Sequence, residues 1–151
     1  MPRRTYMSKK LVKDFLYGDL TYKIRGAMYK VHKTLGSGHK ETVYHKALIA
    51  EFELQKLSYK TEKTMPVVYE GTKVGNYKPD FIVDDKVLIE LKAVPFLPIQ
   101  AERQLSYYLR GTQYRLGLLV NFGSDSLVIK RKVWDKGRQR QHNQLNSAKS
   151  A

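Results

Sequence analysis

The chain has no cysteine among its 151 residues. Disulfides, zinc–thiolate centres and cysteine nucleophiles are therefore excluded, and the absence suits a cytosolic protein. Long apolar runs are missing as well. A stretch such as LGLLV at 116–120 falls far short of the roughly 20 residues that span a bilayer, and the opening MPRRTYMSKK leads into no apolar signal core. A soluble, cytoplasmic protein with no membrane partner is expected. Acidic residues are scarce at both ends: residues 1–40 hold 10 Lys/Arg against 2 Asp/Glu, residues 41–90 hold 7 against 9, and residues 91–151 hold 11 against 3, giving regional nets of +8, −2 and +8. A basic chain with an acidic centre suits a polyanion held by its flanks while carboxylates act in the middle. A basic, merely well-solvated surface has the same charge pattern.

What is present reads as one α/β domain over 19–134, between a basic lead-in at 1–18 and a basic tail at 135–151 that is too polar to build a core and is expected to be disordered. Leu20, Ile24, Ala27, Met28, Val31 and Leu35 recur at helical spacing, with Asp19 as the expected N-cap and Gly36 just past the end. GSGHKE at 36–41 is a tight turn that opens a second helix near Glu41, marked by Val43, Tyr44, Ala47, Leu48 and Phe52. From Lys56 the pattern turns to β-branched and aromatic alternation. Three or four strands in hairpin order are expected to Ala93, with EGTKV as a turn. A helix follows at about 98–111 with Ile99, Leu105, Tyr108 and Leu109 inward, and then come a buried strand at 115–123 and an edge strand at 126–134.

DFIVDDKVLIELKAV at 80–94 places charges inside a run that reads as a buried strand. Burying a charge is costly unless it is paired or bound to a metal. Alternation along a strand puts Glu90 and Lys92 on one face, and Asp80 joins them if the hairpin is centred on Asp85. That requires an odd loop, Asp84-Asp85-Lys86 with its third residue left-handed, or a bulge. Two carboxylates a few ångströms apart repel unless a cation sits between them, and hard oxygen donors suit Mg²⁺ or Mn²⁺. A lysine beside that cation can orient a water or steady charge on a phosphate. Read alone, E-x-K fits a solvated cross-strand ion pair better than a metal site.

KPD followed by ELK resembles the PD-(D/E)XK nuclease superfamily, and GHKETVY at 38–44 is similar to the signature of its GxxExxY branch. The resemblance runs from about Leu20 to Trp134 and includes YKPDFIVDDKVLIELKA, the Q-x-x-x-Y of QLSYY, and LGLLVNFG. It implies a restriction-endonuclease-like mixed β-sheet of four or five strands flanked by helices. It also implies that Asp80, Glu90 and the Leu91 carbonyl are metal ligands, and that Glu41 completes the acidic cluster directly or through water. Lys92 would act on the water or the scissile phosphate, and Gln104 would reach the phosphate or the metal-bound water. The function implied is a Mg²⁺-dependent nuclease cleaving DNA, with Mn²⁺ as substitute and no indicated sequence specificity. A structure-selective homodimeric endonuclease, an RNA-cleaving enzyme and a non-catalytic nucleic-acid-binding module are the alternatives. Tyr44 and Tyr108 are expected to pack in the core with tethered hydroxyls, and His39 and His45 to lie outside the site. Gly36 and Gly38 lack the Lys-Ser/Thr ending of a phosphate-binding P-loop.

Overall fold

Every position from Leu116 to Asn121 is buried, which requires cover on both faces. The computed structural model, which describes residues 16–135, shows how that cover is built. In chain order the elements are α1 (Gly18–Leu35), α2 (Glu41–Leu54), β1 (Tyr59–Thr61), β2 (Met65–Tyr69), β3 (Thr72–Tyr77), β4 (Phe81–Val83), β5 (Val87–Lys92), α3 (Ile99–Gly111), β6 (Leu116–Asn121) and β7 (Val128–Val133). Five strands form one sheet in the order β1-β4-β5-β6-β7, and β2 and β3 form a separate ribbon. β5 and β6 run parallel, whereas the other neighbours are antiparallel. A parallel neighbour requires a crossover, and α3 supplies it. The lead-in up to residue 15 and the tail from residue 136 lie outside the described residues.

The strand period of two sorts the core into two layers. Phe81, Val83, Ile89, Leu91, Leu118 and Val120 pack with the buried faces of α1 and α2, including Ile24, Met28, Tyr44 and Phe52. The opposite face carries Ile82, Leu88 and Leu119, which pack against Leu105 and Leu109 of α3 and against Met65 and Tyr77 of the ribbon. The sheet is thus mixed, five-stranded and flanked by helices on both sides.

Several local expectations are corrected. α1 begins at Gly18, and its N-cap is Tyr17 in the left-handed region (φ 53). Asp19 is therefore in the first turn, where a carboxylate faces the positive end of the helix dipole. The expected hairpin order holds for β2–β3 and for β4–β5 but not throughout: β1 pairs with β4 at the sheet edge, and β2–β3 form a ribbon apart from the main sheet. The turn within EGTKV is confined to Glu70 and Gly71, both at positive φ, as a two-residue hairpin loop requires; Thr72 onward is strand. Ile99 is 61% exposed. At about 100° per residue it lies far round the helix from the inward row of Ala101, Leu105 and Leu109.

Candidate active site

Paired residues in the β4–β5 hairpin are Phe81 with Ile89, Ile82 with Leu88, and Val83 with Val87. The pairing is centred on Asp85, so one step further sets Asp80 across from Glu90. The odd loop Asp84-Asp85-Lys86 is present, but the left-handed residues are Asp84 (φ 51) and Asp85 (φ 49), not Lys86. Aspartate tolerates that region better than lysine does, and the Lys86 N–H closes the turn onto the Val83 carbonyl at 3.0 Å. The device brings Asp80, Glu90 and Lys92 to the sheet face that also bears Ile82 and Leu88. Glu90 and Lys92 are half-buried beside fully buried Leu91, so the strand is apolar except where it meets this end of the sheet.

Asp80 Oδ2 accepts a hydrogen bond from the Leu91 N–H at 2.7 Å. Glu90 Oε1 accepts one from the Tyr77 hydroxyl at the end of β3, and the Tyr77 ring stacks on Tyr108 with centroids 3.5 Å apart. One oxygen of each carboxylate is thereby fixed, and Asp80 Oδ1 and Glu90 Oε2 have no protein donor among the described residues. Burial pushes Glu90 up to about 7, and the Asp80 and Glu41 charges add to that push, against the Tyr77 hydrogen bond and Lys92. Burial also raises Asp80, opposed by the Leu91 N–H, His45 and Lys92.

Glu41 is the first residue of α2, which follows the turn built on Gly36 (φ 70) and Gly38 (φ 105). The Tyr44 hydroxyl donates to the Gly36 carbonyl, and its ring stacks on Phe122, the tethered core role expected of it. Although Glu41 keeps contact with solvent, partial burial and then the Asp80 charge raise its pKa, against Lys92 and His45. Glu41 and Asp80 line a cavity of about 320 Å³ with His45 and Glu62. Lys92 lines another, of about 450 Å³, with Gln104 and Tyr107. The charge of Glu90 couples to Asp80, Lys92 and Glu41, and so links the two groups. Gln104 is exposed and donates to the Tyr108 hydroxyl at 3.2 Å; Tyr108 is half-buried on α3.

Tyr77 and Glu62 escaped the sequence reading, and His45, expected to lie outside the site, lines the cavity that holds Glu41 and Asp80. Tyr77 reads as an ordinary alternating strand aromatic, and nothing local reveals that its hydroxyl meets Glu90. His45 stands one turn after Glu41, a spacing that was a usable signal; its ring stacks on Phe81 at 4.5 Å and its Nε2 lies 3.4 Å from the Asp80 carbonyl. Glu62 approaches through a left-handed residue (φ 56) just after β1.

The segment after Lys92 is clasped by fully buried Asn121. Its Oδ1 accepts from the Val94 N–H at 3.0 Å and its Nδ2 donates to the Val94 carbonyl at 2.9 Å. Gly123 is required beside this clasp, because a Cβ there would lie 2.3 Å from the Val94 nitrogen. Gly123→Ala should cost at least about 1–3 kcal/mol in urea unfolding, with a loss of activity at temperatures where the variant remains folded.

A family model of the PD-(D/E)XK nuclease superfamily matches residues 18–133. The chain belongs to that superfamily. Membership implies a nuclease acting on nucleic acid, and the five-stranded mixed sheet is the restriction-endonuclease-like arrangement that goes with it. No curated protein and no solved structure matches the chain. Among the described residues no helix is long and apolar enough to cross a membrane.

PD-(D/E)XK nucleases generally use divalent metals, and the donors here can be tested for fit. Among the described residues no three Asp, Glu or His side chains form a closed metal-holding cluster. Two facing carboxylates, each with one unclaimed oxygen, nonetheless suit Mg²⁺, which keeps several waters and takes one or two carboxylates.

The raised Glu90 pKa has a stability consequence. Its folded value of about 7 lies above the ordinary 4.5, so the protonated form is favoured by folding. That stability is fully present below pH 4.5 and is lost as pH rises through 7. In EDTA, the stability of the native protein relative to Glu90→Gln should fall by up to roughly 3 kcal/mol between pH 4.5 and pH 8, read by urea unfolding. Added Mg²⁺ should narrow that gap at pH 8. A gap independent of pH would show that Glu90 is not held against its own charge.

Proposed function

We propose that this superfamily member, of the GxxExxY branch, is a cytoplasmic Mg²⁺-dependent nuclease that hydrolyses DNA phosphodiester bonds without sequence specificity. The nuclease domain covers 19–134, and the basic segments 1–18 and 135–151 hold the backbone of the nucleic acid. The β4–β5 register carries the reading: an odd loop, costly for a non-glycine chain with two left-handed residues, is what lets Asp80 share a face with Glu90 and Lys92. A solvated ion pair has no need of it.

Asp80, Glu90 and the Leu91 carbonyl would hold the cation, with Glu41 joined through water. When bound, the cation supplies Lewis-acid polarisation of the phosphoryl oxygen and neutralises charge in the transition state. Tyr77 keeps Glu90 Oε1 occupied, so that Oε2 is the oxygen offered. Lys92 orients the attacking water and steadies the charge that grows on the phosphate. Gln104, which lines the same cavity as Lys92, exchanges its Tyr108 hydrogen bond for one to a phosphate oxygen. No histidine is required as a base.

The test is incubation with linear, nicked, branched and single-stranded DNA and with RNA, in Mg²⁺, Mn²⁺ or EDTA. Cleavage of DNA in the presence of the metals alone is expected. Cutting restricted to branched DNA, accompanied by a homodimer in solution, would replace this reading with a structure-selective one. Cutting of RNA alone would replace the substrate, and binding without cutting would leave a non-catalytic module.

A further inference from the structure

The outward face of α3 carries chemistry that the hydrolytic site does not use. Gln100, Arg103, Gln104, Tyr107 and Arg110 recur at spacings of three and four, so they form one stripe. The stripe begins beside Lys92, where Gln100, Gln104 and Tyr107 line the 450 Å³ cavity. It continues into a second cavity of about 380 Å³ that contains Tyr107, Arg103, Arg110 and Lys132. The helix's one acid, Glu102, is paired with Lys132 at 2.6 Å, so no unpaired carboxylate of α3 opposes an anion there. Tyr107 is 60% exposed, and Phe96, in the loop joining Lys92 to α3, is 89% exposed. Neighbouring Tyr108 turns inward onto Tyr77, so helix phase sets the outward position of Tyr107.

We infer that this stripe is a binding track for unpaired nucleotides, with Tyr107 and Phe96 as stacking platforms for bases and Arg103 and Arg110 as phosphate contacts. The inference rests on the nuclease reading and narrows its substrate to a strand that is single or frayed next to the cleaved bond. An exposed ring between cations gives a paired duplex nothing to stack on, whereas an unpaired base presents a π-face to it. From Gln100 to Arg110 the helix rises about 15 Å, enough to hold a few nucleotides leading to Lys92. The Arg110 guanidinium lies 4.5 Å from the Trp134 ring and 6.0 Å from that of Tyr107, which keeps it beside the stacking platform.

The experiment measures binding in EDTA of a single-stranded oligodeoxynucleotide carrying 2-aminopurine, and of the blunt duplex of the same sequence. Tyr107→Ala should weaken single-strand binding about tenfold or more and abolish the 2-aminopurine quenching, with duplex binding and melting temperature unchanged. Phe96→Ala should act in the same direction, and Tyr107→Trp should retain binding. Tyr22→Ala, which removes a tyrosine equally exposed on α1 (55%), should change nothing. Single-strand binding unaltered by Tyr107→Ala, or an equal loss for the duplex, would overturn the track. Cleavage of the same DNAs by the native protein in Mg²⁺ separates the two claims. Cutting that persists while Tyr107→Ala has no effect overturns the track alone. Stacking through Tyr107 without any cutting upholds the track and overturns the nuclease reading.

Discussion

Lys92→Ala should lower turnover on DNA by roughly a hundredfold or more, the scale of losing one preorganised electrostatic group in a catalytic site. The lysine is half-buried at the end of β5, where its backbone carbonyl accepts from the Phe122 N–H at 2.9 Å. Its ammonium group is thus carried by the sheet and not by a loose loop. The charge it supplies offsets those of Asp80, Glu90 and Glu41, all three of which it lowers in pKa. On the proposed mechanism Asp80, Glu90 and Glu41 would still hold a cation without it, so Mg²⁺ affinity by calorimetry should change little while the rate collapses. DNA binding in EDTA should be largely kept, because the backbone contacts proposed above lie on the basic segments. A rate within a few-fold of native would remove Lys92 from the chemistry and leave it as a counter-ion.

The second large effect is on affinity. Flanks with nets of +8 on either side of a centre at −2 should bind DNA by releasing condensed counter-ions, so that log affinity falls linearly with log salt. Neutralising about six phosphates would give a loss of roughly a thousandfold between about 50 and 200 mM salt. Removing residues 136–151, which carry Lys136, Arg138, Arg140 and Lys149, should flatten the slope by about 0.9 for each phosphate that is no longer neutralised. Fluorescence anisotropy across a salt series reads both quantities. An unchanged slope in the shortened chain would take that segment out of the binding surface.

What could be read from the sequence was whatever a local period or a chemical requirement determines. The 3.6-residue rows of α1 and α2 and the start of α2 at Glu41 were visible because buried residues repeat and glycines break the chain between them. The shared face of Asp80, Glu90 and Lys92 was visible because any slip of one residue would have separated them. Pairing between distant segments was not visible. β1 joins β4 rather than β2 because the edge of the main sheet is open at Phe81–Val83, which no window around Tyr59 reveals. Tyr77 belongs to a ribbon outside the main sheet, yet it completes Glu90; only the packing of that ribbon across α3 brings its hydroxyl there. Helix phase was misjudged at Ile99, an apolar residue whose place in the first turn follows from where Pro98 starts the helix.

Glu90 stands at the centre of the proposed metal-dependent hydrolytic site. The most direct measurement of that role is cleavage of linear DNA in Mg²⁺ by the native protein and by Glu90→Ala, prepared and assayed side by side, with EDTA controls and with binding checked for both. Native protein that cuts only with metal, beside a variant at least about a hundredfold slower that still binds DNA, is the predicted result. A Glu90→Ala protein that cuts as fast as native would contradict the account.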